Sequence, residues 1–350
     1  MTNNKQQTTK YRFEFRPYRR PFKRPLSTSH GIWDVREGII LRLTDETGRV
    51  GWGEIAPIPW FGSESLQQAL DFCQQLPTQI TATDVFSISA ELPACQFGFE
   101  SAWEWGDGET GRRGDGENLF NPKSKIQVVL KAHQRCDPKS KIAYSYLLPT
   151  GEAALQLWQT AWNQGNRTFK WKIGVASIED ELQVFDQLIQ SLPASTQLRL
   201  DANGGLSRQE ANQWLRISDE VGIVEFLEQP LPPEQFDAML EMNTQYSTPI
   251  ALDESVATLD QLEACYQRGW RGIFVIKVAI AGSPKRLRQF CQEHEIDMVF
   301  SSVFETAIAK QAALQLATEL SHQNRALGFG VNHWFNEDDK TWLEQLWKNH

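Results

Sequence analysis

The sequence predicts an α/β protein: a (β/α) barrel preceded by a smaller N-terminal α+β capping domain. Three observations predict it. From Ile142 onward, short apolar runs alternate with helical segments, giving strand candidates at 142–147, 168–173, 197–202, 223–228, 249–253, 272–278, 297–302 and 326–330. Before that point the pattern is instead period-two alternation broken by turn residues. Finally, five successive apolar runs each close on a charged residue, Lys172, Asp201, Glu228, Asp253 and Lys277, with gaps of 29, 27, 25 and 24 residues. Each gap is about one strand-plus-helix unit.

Residues 1–10 are polar and read as a disordered tail, and residues 11–140 as the capping domain. Tyr11–Arg16, Gly38–Leu43 and Val50–Glu54 alternate as an antiparallel meander does, with a proline-rich loop after the first run and Asp45–Gly48 as a turn. Residues 63–76 have helical spacing behind a serine start. Residues 104–125 are rich in glycine and charge and are expected to form a loop insertion. Their G-x-G-x-x-G at Gly106, Gly108 and Gly111 lacks the strand before and helix after that dinucleotide binding needs, so a surface loop is the better reading. Residues 141–330 form the barrel, because eight short strands alternating with helices imply a parallel sheet with right-handed crossovers. Helices are expected at 179–191, 207–218 and 283–293, and the tail 331–350, with Trp334, Trp342 and Trp347, is expected to pack back on the barrel or the capping domain.

The bulk properties narrow the partners. A net charge of −9 argues against nucleic acid, which requires clustered Lys and Arg. The five cysteines are odd in number and contain no C-x-x-C pair, which fits a reducing compartment. The N-terminal segment has no apolar h-region, and no uncharged apolar stretch approaches the roughly 18 residues that span a bilayer. A cytoplasmic protein acting on a small molecule, without membrane or nucleic-acid partner, is expected, and a monomer is compatible with it.

Barrel active sites form where the strands end. Asp201, Glu228 and Asp253 end three consecutive strands, so their carboxylates should converge. Three unpaired carboxylates repel in a water-poor pocket, and a divalent cation resolves the conflict. All-oxygen ligation suits Mg²⁺, with Mn²⁺ as a substitute; salt bridges to neighbouring Lys and Arg are the alternative use of such groups. Lys172 and Lys277 flank the ligands on the strands before and after, so they should face each other across the ion. Lys170, on the same strand face as Lys172, either lowers the proton affinity of Lys172 or holds a carboxylate. A cation opposite two lysines suits abstraction of a proton α to a carboxylate.

These residues resemble the muconate-cycloisomerase-like branch of the enolase superfamily. Lys170-Trp-Lys172 is similar to its K-x-K, and Leu200-Asp-Ala-Asn203, Glu228-Gln-Pro230, Asp253-Glu-Ser255 and Ile276-Lys277 follow in its order. Gly51-Trp-Gly-Glu-Ile-Ala-Pro57 looks like the capping domain's G-x-G-E-x-x-P turn. The resemblance implies a (β/α)7β barrel. Within the branch the chain is most similar to the o-succinylbenzoate synthase family, through Thr28–Gly31, Arg36–Gly38 and Ser301-Ser-Val-Phe-Glu-Thr306. That similarity implies a hydro-lyase of menaquinone or phylloquinone biosynthesis, dehydrating 2-succinyl-6-hydroxy-2,4-cyclohexadiene-1-carboxylate. Lys172 would remove the α-proton and protonate the departing hydroxyl, and Lys277 would stabilise the enolate from the other side, with a cation–π contact. Asn203, Ser301, Ser302, Gly328, Gly330 and His30 would contact substrate. Trp60 and Phe61, in the second capping loop, either shape the pocket or pack against the barrel.

An N-acylamino-acid racemase or a dipeptide epimerase of the same superfamily would use the same two lysines. Dipeptide epimerases resemble one another in an Asp-x-Asp at the eighth strand, where this chain reads Ala326-Leu-Gly-Phe-Gly330. A Schiff-base aldolase with Lys277 as nucleophile leaves the carboxylates unexplained. A non-catalytic nucleic-acid binder would use the basic, aromatic arm Tyr11–Arg24, whose alternation more simply describes a strand.

Overall fold

The computed structural model describes residues 10–28, 31–107, 142–321, 325–330, 334–335 and 338–348. The N-terminal part holds strands β1 (Tyr11–Thr28), β2 (Gly31–Thr44) and β3 (Val50–Ile55), helix α1 (Leu66–Gln75), strand β4 (Gln79–Ile80), and helices α2 (Ala82–Phe86) and α3 (Pro93–Asp107). The four strands form one antiparallel sheet in the order β3-β2-β1-β4. The first helix starts later than the expected 63, with Ser65 as its N-cap: the Ser65 hydroxyl accepts from Gln68 N while Gln68 Oε1 accepts from Ser65 N.

Two expectations change. The proline-rich stretch after Arg16 is not a loop; β1 continues through Pro17 and Pro21 to Thr28, with a register shift between Pro21 and Leu26. On its second edge β1 is met at Phe13 N by Thr78 O and again at Phe22 and Lys23 by Phe335 and Trp334. At Pro17 and Pro21 themselves β2 is the one pairing strand among the described residues, so a proline can point its missing donor away from that ladder. At the other end α3 extends to Asp107, so residues 104–107 of the expected insertion are helical and Gly106 lies in the last turn. Gly108, Gly111 and the rest of the insertion lie outside the described residues.

Alternation along the strands buries both faces of this sheet. Tyr11, Phe13, Ile39, Leu41 and Leu43 join the main core beneath α3, with Tyr11 4.3 Å from Trp103 and Phe13 5.2 Å from Phe99 between ring centres. The helix comes this close because glycines meet: a Cβ on Gly53 would stand 2.0 Å from the carbonyl oxygen of Gly98. The opposite face, with Tyr18, Ile40 and Trp52, is covered by Leu343, Trp342 and Trp347 of the last helix.

The barrel follows in strict alternation: β5 (Ser145–Leu147), α4 (Ala153–Asn163), β6 (Thr168–Lys172), α5 (Ile178–Ser191), β7 (Gln197–Asp201), α6 (Arg208–Val221), β8 (Val224–Glu228), α7 (Phe236–Gln245), β9 (Ile250–Leu252), α8 (Leu259–Gln267), β10 (Ile273–Ile276), α9 (Val278–Ala281), α10 (Pro284–Glu293), β11 (Asp297–Phe300) and α11 (Ala307–Leu320). Helix α12 (Asp339–Lys348) ends the chain. The seven strands are parallel and neighbours in sequence order. The eighth candidate, 326–330, is a pair of isolated bridges rather than a full strand: Leu327 pairs with Tyr144 and Gly328 with Ser301, which joins the two edges of the sheet. Ser177, Ser207, Thr258, Ser283 and Thr306 each accept a backbone N–H at the start of the helix they precede.

Two cap glutamates lock the units together by capping barrel helices. Buried Glu54 accepts from Tyr18 Oη (2.6 Å), Thr306 N (3.0 Å), Thr306 Oγ1 (2.5 Å) and Ala309 N (3.1 Å), at the N-terminus of α11. Glu100 of α3 accepts from Lys285 N (3.0 Å) at the start of α10. A carboxylate there satisfies orphan donors and meets the positive end of the helix.

Glu54→Ala strands these donors in a buried seam and is expected to lower stability by about 3 kcal/mol. Urea unfolding checks it: the midpoint should fall, with part of the loss recovered in Glu54→Gln, and an unmoved midpoint would show that docking does not depend on the carboxylate.

Candidate active site

The series of charges seen in sequence becomes a ring because the strands pair in register. Lys172 lies opposite Asp201, and Asp201 opposite Glu228. Asp253 follows the last residue of β9, and Lys277 follows β10 as the residue preceding α9, so each stands one position beyond its strand rather than within it. Asp201, Glu228 and Asp253 are buried.

Lysines compensate the carboxylates in this state. Lys170 Nζ lies 2.8 Å from Asp201 Oδ2 and 2.7 Å from Glu228 Oε1. Burial works against its charge, but Asp201, Glu228 and Asp253 together hold its ammonium well above the usual lysine range. Of the two roles open to Lys170, the geometry shows the carboxylate-holding one. Lys277 Nζ donates to both oxygens of Asp253, and its ammonium lies 3.8 Å from the ring centre of Phe61. Lys172 is half-buried, and its ammonium makes no hydrogen bond or ion pair with any described residue.

The site holds more negative charge than the sequence series indicated. Glu254 is mostly buried; its Oε1 accepts from Asn203 Nδ2 (3.2 Å), and its Oε2 has no partner among the described residues. Burial first, and then Asp201 and Glu228, raise its proton affinity against the pull of Lys277. Glu228 is pushed up to about 8 by burial and by Asp201, and Asp253 to about 6 by burial, against the attraction of Lys277. Lys170 and Lys277 are the lysines paired with this group of four acidic side chains among the described residues. That imbalance, together with the orphaned Glu254 oxygen, is the chemistry of a donor set suited to a divalent cation. Lys170 and Lys277 occupy the oxygens a cation would use, and no three acidic or imidazole side chains among the described residues frame one as they stand.

Gln229, next to Glu228, orients the ring. It is fully buried at φ 37°, and its Oε1 accepts from Asp253 N (3.0 Å) and Ser255 N (3.1 Å) while its Nε2 donates to Ser255 Oγ (2.8 Å) and Leu231 O (2.8 Å). One side chain thereby fixes the turn that presents Asp253. Neither Gln229 nor Glu254 stands out by charge spacing; only their positions inside Glu-Gln-Pro and Asp-Glu-Ser mark them.

The expected substrate contacts fare unequally. Asn203, at φ 45°, has its amide committed to Glu254 and its backbone N to Asp201 Oδ1 (3.1 Å). The Ser302 hydroxyl donates to Glu305 and accepts from Phe304 N (3.0 Å), so it holds its own loop. Gly328 and Gly330 serve barrel closure, since a Cβ on Gly330 would stand 2.1 Å from the carbonyl oxygen of Ser145 and one on Gly328 would stand 2.8 Å from Ser301 Oγ. Ser301 lies beside Gly328 at the rim. His30 lies outside the described residues.

A parallel barrel with this lysine–carboxylate ring under an antiparallel cap defines a protein of the enolase superfamily. Residues 153–345 match the family described as Enolase C-terminal domain-like, and residues 11–104 the one described as MenC, N-terminal domain. The chain is 41% identical over 344 residues to the o-succinylbenzoate synthase of Thermosynechococcus vestitus, covering 96% of this chain and 98% of that one. A crystal structure of o-succinylbenzoate synthase from Thermosynechococcus elongatus BP-1, complexed with Mg in the active site, superposes with a TM-score of 0.81 at 39% identity, covering 97% of this chain and 100% of that one. The chain belongs to the o-succinylbenzoate synthase family. The L-Ala-D/L-Glu epimerase of Bacillus subtilis shares the fold, with a TM-score of 0.68 at 21% identity over 93% of this chain and 91% of that one.

In metal-free protein, Lys170→Met removes the positive charge between Asp201 and Glu228, so the Glu228 carboxyl should titrate above about 8. Carbon-13 NMR of the labelled glutamate carboxyls reads the midpoint, and a fall would contradict the assigned contact.

Proposed function

We propose that this chain dehydrates 2-succinyl-6-hydroxy-2,4-cyclohexadiene-1-carboxylate to o-succinylbenzoate, a step of menaquinone or phylloquinone synthesis, in the cytoplasm. The observation that carries the proposal is the division among the three lysines: Lys170 and Lys277 are held by carboxylates, whereas Lys172 is the site lysine without such a partner among the described residues. Membership of the o-succinylbenzoate synthase family supports the choice of substrate.

Asp201, Glu228 and Asp253 would hold Mg²⁺, with Mn²⁺ as a substitute, and a bound divalent cation would balance the charge that develops on the substrate carboxylate. Lys172 takes the proton from the carbon bearing that carboxylate. The electron pair moves into the ring as the carbon–oxygen bond to the hydroxyl breaks, and Lys172 returns its proton to the departing oxygen as water leaves. One base on one face suffices, which makes the elimination syn. Lys277 stays protonated on the opposite side, where its charge favours the electron-rich ring. Ser301 and the backbone at Gly328 and Gly330 line the strand ends nearest the substrate's carboxylate and succinyl groups. Asp201, Glu228 and Asp253 are buried at the strand ends, where each charge acts more strongly than in water.

Supplying the cyclohexadiene substrate with Mg²⁺ should produce aromatisation visible in the ultraviolet; EDTA should abolish it and added Mg²⁺ or Mn²⁺ restore it. Lys172→Ala should lower turnover by at least about 10³-fold, while calorimetry finds Mg²⁺ affinity within a few-fold of the parent. Retained turnover would remove Lys172 as the base.

A further inference from the structure

The capping sheet carries none of the ionisable groups assigned to the reaction, yet one of its loops reaches the catalytic ring. We propose that Phe61 is a positioning residue for Lys277: its ring face holds the ammonium where the reaction needs it, so cap docking and lysine placement are one event. This deepens the functional reading above and rests on it for the role of Lys277.

The ring centre of Phe61 lies 3.8 Å from Lys277 Nζ, within the range in which an aromatic quadrupole attracts a cation. The segment that carries it is stiff. Pro59–Phe61 is a single 3-10 turn closed by Phe61 N to Ile58 O (2.9 Å) and Gly62 N to Pro59 O (3.1 Å), and Ile58 N donates to Ser63 Oγ (2.7 Å). Gly62 stands at φ 114°, a conformation suited to glycine, and a Cβ there would reach within 3.1 Å of Ala257 Cβ in the loop that follows Asp253. On the other side Trp60 meets Trp33 of β2 edge-on at 5.1 Å, and Trp33 meets Phe304 at 5.6 Å. Phe304 sits at φ 59°, costly for an aromatic residue, with its N–H bound to Ser302 Oγ. The turn is thus braced between the Asp253 loop and the rim beyond β11.

Lys277 is a flexible side chain with one ionic partner, Asp253, on the described residues. Asp253 is also a group that a cation would claim. When Asp253 is so engaged, the Phe61 ring is the contact that keeps the ammonium from swinging out of the ring of strand ends. Residue 61 therefore needs a π face, and apolar bulk alone will not serve.

The test uses the full chain with ¹³C-labelled lysine. In the parent protein the Lys277 ε-methylene protons should be shifted upfield by the Phe61 ring current, the resonance being assigned by its loss in Lys277→Arg. Phe61→Leu should abolish that shift and lower kcat by about tenfold with KM within about twofold, whereas Phe61→Tyr should preserve both. The proposal is overturned if the parent shows no upfield ε-methylene signal, if Phe61→Leu keeps its kcat, or if Phe61→Tyr is as impaired as Phe61→Leu. A parent enzyme that leaves the cyclohexadiene untouched would sink the functional reading instead, and the ring-current comparison would still decide the placement of Lys277.

Discussion

Everything at the mouth of this barrel depends on one electrostatic constraint: buried carboxylates brought together by strand register must be neutralised. Parallel pairing leaves no freedom here, because Lys172, Asp201 and Glu228 are consecutive register partners. Once Asp201, Glu228, Asp253 and Glu254 converge, the choices are protons, lysines or a metal ion. Lys170 and Lys277 serve in this state, and burial, above all, still raises the proton affinities of Glu228 and Asp253 against their pull. A site that is costly without a cation is one that selects for a cation.

The cap is joined to the barrel by the same kind of group in a different role. Glu54 and Glu100 are buried acids whose charge is met by helix N-termini rather than by cations. Because α10 and α11 follow the strands that bear Lys277 and Ser301, the cap is anchored close to the chemistry. The hydrogen bonds that fix the cap also fix the loop carrying Phe61 relative to β10.

Much of this architecture was legible in sequence, for definable reasons. An apolar run closing on a charge is a strand entering a polar rim, and the helices showed in the spacing of their apolar residues, one of them behind a serine start. Lys170 was harder: strand parity pairs it with Lys172, but register carries its ammonium onto carboxylates of the two following strands. Gln229, Asn203 and Phe304 adopt positive φ, a property of the assembled loops that residue type does not advertise. The length of β1 was hidden by its prolines, which a strand tolerates where the missing donor points away from its ladder. Phe61 could be placed only by docking two units that are far apart along the chain.

The outer face of the cap sheet has a further consequence in the order of synthesis. Tyr18, Ile40 and Trp52 are covered by residues of α12, and Arg20 of β1 is paired with Asp339 at the start of that helix. Strand β1 is therefore completed by a helix that lies 319 residues further along the chain, counted from Arg20 to Asp339. At ribosomal rates of about 5–20 residues per second, an apolar sheet face stays open for some tens of seconds before its cover exists. The first strand of the cap and helix α12 meet like two halves of a clasp, and the strands that carry the catalytic ring are synthesised between them.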